Sequence, residues 1–525
     1  MSRDQFIFPK DPSPDVSYLD DGTKVVRACA WSPPGCHSTG CGVKMFIKDG
    51  KLVKVEGDPE HPLSRGRLCP RCLAMVEYVY HPDRILYPMK RAREDRGKDK
   101  FERISWDEAT DIIVSETKRI QQEYGYESVV TYMGTGREAV TYGFIFSSQV
   151  LGTPNTCYAQ SGWSCMGPRM TAMSMLFGSQ YLELDFGGAY EGMWDNPDFT
   201  PPEYVFMLGK EPLKSNPDGL WGHSLLELMK TRGTKLINVD PRVSWIGSRA
   251  DYFLQVKPNS DGALVMALLN VVTQEDLVDH DFIDKWCYGY EELKARAAEY
   301  PPSFAAKECG VPEEKIIEVG RILGTKRWSM LIGVATDQNP NGCQVVQGLC
   351  DLVAITGNLD VPGGTVMGLN MEFDMDMTTA VPESAQGKTI GWDEYPILPV
   401  MLNTTHPDLT LEALETDKPY PLKMAWIDST NLLSPTCSAQ PKRWHDALNR
   451  MEFIVAKDTF MNPTIMALAD IVLPVSTWAE HNGVVKNNNG CQMGIFGALR
   501  GEVQVGEAMG DLEMFIHFGK AFHGK

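Results

Sequence analysis

The sequence predicts an α/β protein in which an amino-terminal, cysteine-bearing β-hairpin domain precedes parallel-sheet domains. Three observations predict it. Five cysteines lie between residues 29 and 72, in two groups separated by a hairpin pattern. From Val129 onward, short β-branched runs alternate with amphipathic helical stretches, the rhythm of parallel sheets. These runs end in Gly, Pro, Asn, Asp and Ser, as ligand-facing loops at the carboxyl ends of strands do.

Composition narrows the class. A chain of 525 residues is too long for one core, so several domains are expected. With 43% hydrophobic and 23% charged residues it reads as a soluble globular protein. A formal net charge of -19 argues against nucleic acid or an anionic membrane as partner, because phosphate surfaces repel it. Thirteen cysteines are dilute at this length, and the one dense group has ligand spacing, which points to a reducing, cytoplasmic compartment. The start, MSRDQFIFPKDPSPDV, has no apolar signal core and no twin arginine. No apolar run approaches the ~20 residues of a spanning helix, so no membrane span is expected.

The first element is residues 27–72, RACAWSPPGCHSTGCGVKMFIKDGKLVKVEGDPEHPLSRGRLCPRC. Cys29, Cys36 and Cys41 open it, and Cys69 and Cys72 close it. Four thiolates brought together hold a soft metal centre. Zinc and [4Fe–4S] both accept four cysteines, so the ligands alone leave both open. Val43–Ile47 and Leu52–Val55 flank Asp49-Gly50, a two-residue hairpin turn that carries the later cysteines back toward the earlier ones.

A charged connector, Lys90 to Lys100, leads to Ser105-Trp106-Asp107-Glu108, a capping box followed by Ala109, Ile112, Ile113 and Ile120 at helical spacing. Val129–Tyr132 reads as a strand ending in MGTGR, and the irregular run GTPNTCYAQSGWSCMGPRM carries Cys157 and Cys165. Next comes a βαβ unit: strand Tyr204–Leu208, a Gly/Pro loop, helix Trp221–Lys230, and strand Lys235–Val239 ending at Asp240-Pro241-Arg242. It has no GxGxxG, so the nicotinamide fingerprint is missing while another dinucleotide is allowed. Asp240 suits ribose hydroxyls or a guanine edge. Asp261 reads as the N-cap of the helix beginning at Ala263. Helices over Glu275–Trp286, Glu313–Leu323 and Cys343–Ile355 surround a strand over Ser329–Val334. Residues 365–420 carry no usable pattern. The rhythm then returns with strands Met424–Ile427, Phe453–Ala456 and Asp470–Pro474 and a helix over Gln440–Arg450.

The cysteine group followed by DGKLVKVEGDPEHPLSRGRLCPR, then HPDRILYPMKR, RISWDEA, CMGPR and KDTFMNPTIMALADIVLPVSTWAEHNGVVKNNNG, resembles the molybdopterin oxidoreductases of the dimethyl sulfoxide reductase family. The WSPPGCH insertion and the cysteine at 165 point to the subgroup of acetylene hydratase and the catechol dehydroxylases. The resemblance implies an iron–sulfur domain over 1–90 and two Rossmann-like domains. One of these is discontinuous, over 91–180 and 355–515, and the other is inserted over 181–354. It implies a [4Fe–4S] cluster on Cys29, Cys36, Cys41 and Cys69, although six residues separate Cys29 from Cys36, wider than is usual, and Cys72 stands where the family commonly has glycine. It also implies molybdenum or tungsten held by two molybdopterin guanine dinucleotides (bis-molybdopterin guanine dinucleotide) and by Cys165. Arg71 would lie between cluster and pterin. Gly209, Ser215, Asn216, Asp240, Arg242, Ser260 and Asp261 would hold one nucleotide, and Asn431, Asp458 and Thr459 the other.

The implied activity is removal or transfer of an oxygen atom or hydroxyl on a small organic substrate, with electrons passing through the cluster to an iron–sulfur partner. The alternatives are a non-redox hydratase or transhydroxylase, in which His37 after Cys36 does acid–base work, and a cofactor-free iron–sulfur electron carrier. After VKNNNG the family continues into a β-rich domain for which too few residues follow. The expectation is a truncated chain, or a second polypeptide that completes the fold.

Overall fold

The structure is a computed structural model and describes residues 13–30, 40–61, 64–134, 139–158, 166–178, 182–185, 200–215, 221–367, 381–402, 404–436, 439–486 and 496–524. The amino-terminal strands β1 (Val16–Tyr18), β2 (Lys24–Ala30), β3 (Cys41–Lys48) and β4 (Lys51–Gly57) form one antiparallel sheet in chain order. Asp49 and Gly50 have φ of 50° and 72°, the double positive φ of the hairpin turn that Asp-Gly favours. Val43, Met45 and Ile47 alternate inward and pack with Val26, Leu52 and Val55 and with Met75 and Val79 of the short helices that follow.

The chain then lays down β5 (Met89–Lys90), β6 (Glu102–Arg103), a helix over Trp106–Tyr124, β7 (Val129–Met133) and β8 (Asn155–Tyr158). Half of the expected capping box forms: Ser105 Oγ accepts the Glu108 N–H at 3.1 Å. The Glu108 carboxylate pairs instead with Lys90 at 2.6 Å. The chain next leaves to build β9 (Leu182–Leu184), β10 (Tyr204–Leu208), β11 (Lys235–Val239), β12 (Tyr252–Leu254), β13 (Trp328–Ile332) and β14 (Thr365–Met367). It returns with β15 (Met424–Asp428), β16 (Phe453–Asp458) and β17 (Ile471–Pro474), and closes with hairpin β18 (Gly483–Lys486) and β19 (Phe496–Leu499) and a helix over Asp511–His523.

Two sheets result. The larger has the order β6-β5-β17-β16-β15-β7-β8, parallel from β17 to β8, with β5 and β6 added antiparallel at the edge. The smaller has the order β12-β11-β10-β13 and is parallel throughout. Along the larger sheet the chain runs outward from β7 to β8 and then returns across to β15, so its direction reverses between β7 and β15. In the smaller sheet it reverses between β10 and β13. Crevices at the carboxyl ends of strands at such reversals are where open parallel sheets bind ligands.

Both faces of the larger sheet are buried. Val130, Tyr132, Ala425, Ile427, Ile454 and Ala456 face the helices Pro407–Thr416 and Pro441–Leu448. Val129, Met424, Trp426, Phe453 and Val455 face Ile113, Ile120, Met514 and Phe518 of the helices over 106–124 and 511–523. Continuous apolar strands are what a sheet covered on both sides requires. The helices on either side of the expected boundaries at 180 and 354, Gly167–Phe177 and Gly342–Ile355, pack together against the smaller sheet through Ala172, Met173, Val346 and Leu349.

Two expectations need correction. The helix expected over Glu275–Trp286 is broken: helix Asp261–Gln274 ends there, Asp276 turns left-handed (φ 59°), and a new helix starts at His280, capped by Asp279 Oδ1 at 2.9 Å from the Phe282 N–H. The patternless stretch contains helix Pro407–Thr416, whose first turn is capped by His406 Nδ1 at 3.4 Å from the Leu409 N–H.

Two stability predictions follow from burial. Arg84 and Glu480 form a 2.9 Å ion pair whose side chains are both 0% exposed, and Glu480 also accepts the Thr477 and Val505 N–H groups. Glu480→Ala leaves a buried guanidinium uncompensated, so a loss of about 3–5 kcal/mol is expected in a denaturant titration. A loss under ~1 kcal/mol would contradict it. Burial also pushes the Asp351 carboxyl up to about 6. A raised acid stabilises the fold below its unfolded pKa, and that contribution is lost as pH rises through about 6. Asp351→Asn should therefore stabilise at pH ~8 by on the order of 2 kcal/mol, with little gain at pH ~4. Equal gains at both pH values would refute this.

Candidate functional site

The cysteine pole is built by β3 and by the helix Pro70–Leu73. Cys41 opens β3 opposite Ala30, and Cys29 sits opposite Gly42. Because side chains alternate across a strand, Cys41 and Cys29 face opposite sides of the sheet. Pro70 at the first helical position needs no N–H partner, and the helix it starts carries Cys69 and Cys72 at a spacing that shares one face. The thiol of Cys72 interacts with those of both Cys41 and Cys69. The Cys72 thiol and then burial push Cys69 up, and the Cys41 thiol pushes Cys72 up. Arg71 reaches the Cys69 thiol by a hydrogen bond and opposes that rise. Cys29 is pushed up to about 11 by burial and by Asp58, and it meets the backbone of Ala498.

Soft thiols gathered in a dry core suit iron or zinc, which deprotonate the sulfurs they bind. Among the described residues, no three His, Cys, Asp or Glu side chains converge on a single-ion position. Cys36 and His37 lie outside the described residues. His61 and Ser64 brace this pole. A Cβ on Gly42 would lie 2.2 Å from His61 Cβ, and Ser64 Oγ accepts the Gly42 N–H at 3.2 Å while lying 3.0 Å from His61 Nδ1. Burial pushes His61 down to about 4, so it braces as a neutral ring.

The second pole is the reversal point of the smaller sheet. Gly209 follows β10 with φ +63°; its N–H donates to Val239 O at 3.1 Å, and a Cβ there would lie 2.7 Å from Ala335 Cβ. A Cβ on Gly333 would lie 2.3 Å from Gly209 O, so the two loops leave room for backbone alone. Asp240 is buried and accepts the Arg242 N–H at 2.7 Å, while the exposed Arg242 guanidinium reaches Glu211 at 3.1 Å. Asp261 does not cap its helix as expected. Ser260 occupies the N-cap position with its hydroxyl turned to Lys257 O, and Asp261 is the first helical residue, bonded by Asn339 Nδ2 at 3.0 Å. Ser215 ends the short helix Pro212–Ser215, and Asn216 lies outside the described residues. Sequence reasoning missed the buried Lys210–Glu183 pair (2.8 Å) beside Gly209, whose partners stand on separate elements with no shared period.

The third pole is the reversal point of the larger sheet. Gly134 after β7 donates to Asp428 O at 2.9 Å, and a Cβ there would lie 2.1 Å from Ser429 O. Asn431 Oδ1 accepts from Thr464 Oγ1 at 2.8 Å. Asp458 accepts the Thr459 N–H at 2.6 Å and an N–H of Asn462 Nδ2 at 3.0 Å, and among the described residues the buried Thr459 Oγ1 has no hydrogen-bond partner. Lys457 lies between Asp428 (3.0 Å) and Asp511 (2.6 Å), which ties the last helix to the strand ends.

Cys157 sits inside the apolar core on β8 and is pushed up to about 12 by burial. Cys165 lies outside the described residues. The residue after it, Met166, is left-handed (φ 68°), and Asp337 from the loop after β13 accepts the N–H groups of Met166 (2.9 Å) and Arg169 (3.1 Å) while pairing with the Arg169 guanidinium at 2.7 Å. Neither Asp337 nor Arg169 was nominated from sequence.

Two family models cover nearly the whole of this arrangement: the molybdopterin oxidoreductase Fe4S4 domain matches residues 34–81, and molybdopterin oxidoreductase matches residues 84–516. The chain belongs to the molybdopterin oxidoreductase family. Residues 34–81 contain Cys36, Cys41, Cys69 and Cys72 and leave out Cys29. Acetylene hydratase of Syntrophotalea acetylenica is 28% identical over 86% of this chain and 63% of its own length. Dimethyl sulfoxide reductase DmsA of Haemophilus influenzae is 29% identical over 84% of this chain and 58% of its own. Dopamine dehydroxylase of Eggerthella lenta is 25% identical over 89% and 60%. The solved acetylene hydratase from Pelobacter acetylenicus superposes with a TM-score of 0.79 at 27% identity, over 95% of this chain and 69% of that one. This molybdopterin oxidoreductase chain thus spans less than two thirds of the length of these curated relatives. The family supplies a [4Fe–4S] cluster and molybdopterin with molybdenum or tungsten. Among the described residues, no helix is long and apolar enough to cross a membrane.

Proposed function

We propose that the chain forms the cofactor-holding core of a molybdenum or tungsten bis-molybdopterin guanine dinucleotide enzyme. It would remove or transfer an oxygen atom or hydroxyl on a small organic substrate, with electrons entering or leaving through [4Fe–4S] from an iron–sulfur partner. One observation carries the reading: two parallel sheets each reverse direction at a pair of loops held in backbone contact at a glycine, and an Asp ends or follows a neighbouring strand of each, Asp240 in one and Asp458 in the other. Two such crevices fit two nucleotide-tailed pterins. Gly209, Ser215, Asn216, Asp240, Arg242, Ser260 and Asp261 would hold one tail. Asn431, Asp458 and Thr459 would hold the other, and the Thr459 hydroxyl, without a partner among the described residues, fits a ligand contact.

The pterin-bound metal supplies two-electron chemistry at the substrate. Cys165 would ligate that metal. Cys36, Cys41 and Cys69 would hold the cluster, with Cys72 favoured by the gathered thiols and Cys29 by the resemblance, in which the position of Cys72 is commonly glycine. Arg71, already at the Cys69 thiol, would place positive charge beside the electron path. The nucleotide is tested by acid hydrolysis of the pterin extracted from the purified assembly. Guanosine phosphate is the expected product, and another base would overturn the assignment.

The similarity to acetylene hydratase favours a second reading, hydration without net redox change, in which His37 moves the proton. The redox reading requires an external electron donor or acceptor for turnover, whereas the hydratase reading predicts turnover that consumes none.

A further inference from the structure

The loop after β17, residues 475–482, is pinned from both sides. Arg84 bonds the carbonyl of Val475 at 3.2 Å and the carboxylate of Glu480, and Glu480 closes the loop on the Thr477 N–H. The pinned loop delivers Trp478 into the apolar group that also contains Cys41, Cys69 and Cys72, together with Leu499 at the end of β19 and Val503 beyond it. Trp478 is 4% exposed, yet among the described residues its indole Nε1–H has no hydrogen-bond partner. An indole nitrogen only donates, so nothing but an acceptor satisfies it. Burying such a donor unpaired is costly, and native cores rarely do so without a ligand or function to account for it. A cluster held by Cys41, Cys69 and Cys72 of this same core would supply acceptors, because its sulfides and thiolates accept N–H bonds.

We infer that Trp478 donates its indole N–H to a sulfur of the [4Fe–4S] cluster and thereby sets its reduction potential. The bond stabilises the more negative, reduced cluster more than the oxidised one, so it raises the potential. The residue acts through the cluster and touches no substrate. The inference rests on the cysteine group holding the cluster and is independent of the pterin and substrate assignments.

Trp478→Phe keeps the ring's bulk and deletes the donor. In the anaerobically purified full chain, iron content and visible absorption should stay as in wild type. The midpoint should move negative, with the reduction constant falling several-fold, a tenfold fall being about 59 mV for a one-electron couple. Wild-type protein grown with indole-15N tryptophan should show a 15N hyperfine coupling on the reduced cluster by pulsed EPR, and Trp478→Phe should lose it. If the variant does not assemble, the 15N coupling in wild type decides alone. An unchanged midpoint, or no 15N coupling in wild type, overturns the proposal. Absence of the cluster from wild type would overturn the cysteine assignment itself, a separate failure.

Discussion

Cys165→Ala is expected to abolish turnover while leaving iron content and the cluster's visible absorption unchanged. A residue that merely orients a metal ligand is worth 10–100-fold in affinity or activity, so deleting the ligand should cost more than roughly a hundredfold. The cluster is spared because its sulfurs come from another element, with Cys41 on β3 and Cys69 and Cys72 around the helix Pro70–Leu73. Cys157→Ala serves as the control. That thiol is sealed in the core of the larger sheet, so its loss should lower the melting temperature and leave turnover per folded molecule intact. Normal turnover in Cys165→Ala together with none in Cys157→Ala would mean that the other thiol binds the metal.

The second large effect concerns the fourth cluster ligand. Cys41→Ser and Cys72→Ala should both strip iron and bleach the broad visible absorption, because serine is a poor ligand for iron and alanine is none. Cys29→Ala should retain the cluster, since strand alternation turns Cys29 away from Cys41 and toward Asp58. If Cys29→Ala bleaches and Cys72→Ala does not, the ligand set implied by the family resemblance has prevailed over the thiol geometry.

Local chemistry was legible in the sequence. Tyr204–Leu208 and Lys235–Val239 were read at their observed bounds because Pro and Gly punctuate short β-branched runs, and the Asp49-Gly50 turn because few dipeptides accept two positive φ values in succession. Pairings between remote segments were not legible. Asp337 and Arg169 are 168 positions apart, and Lys457 finds Asp511 54 positions on, so no periodicity announces either pair. Helix Pro407–Thr416 was missed although His406-Pro407 followed by Leu409, Leu411 and Leu414 marks a capped amphipathic start, because the irregular run before it masked the change of pattern. Ser260 and Asp261 show a finer limit: both residues suit a cap, and the Asn339 bond from the loop after β13 accompanies Asp261 in the helix.

Elemental and pterin analysis of the assembly containing this chain, purified without oxygen from a host supplied with molybdate and tungstate, tests the central claim most directly. The account predicts roughly four irons, one molybdenum or tungsten and two guanine-tailed pterins for each chain. Iron alone, with neither pterin nor molybdenum or tungsten in a folded and cluster-loaded assembly, would contradict it and make the chain an electron carrier.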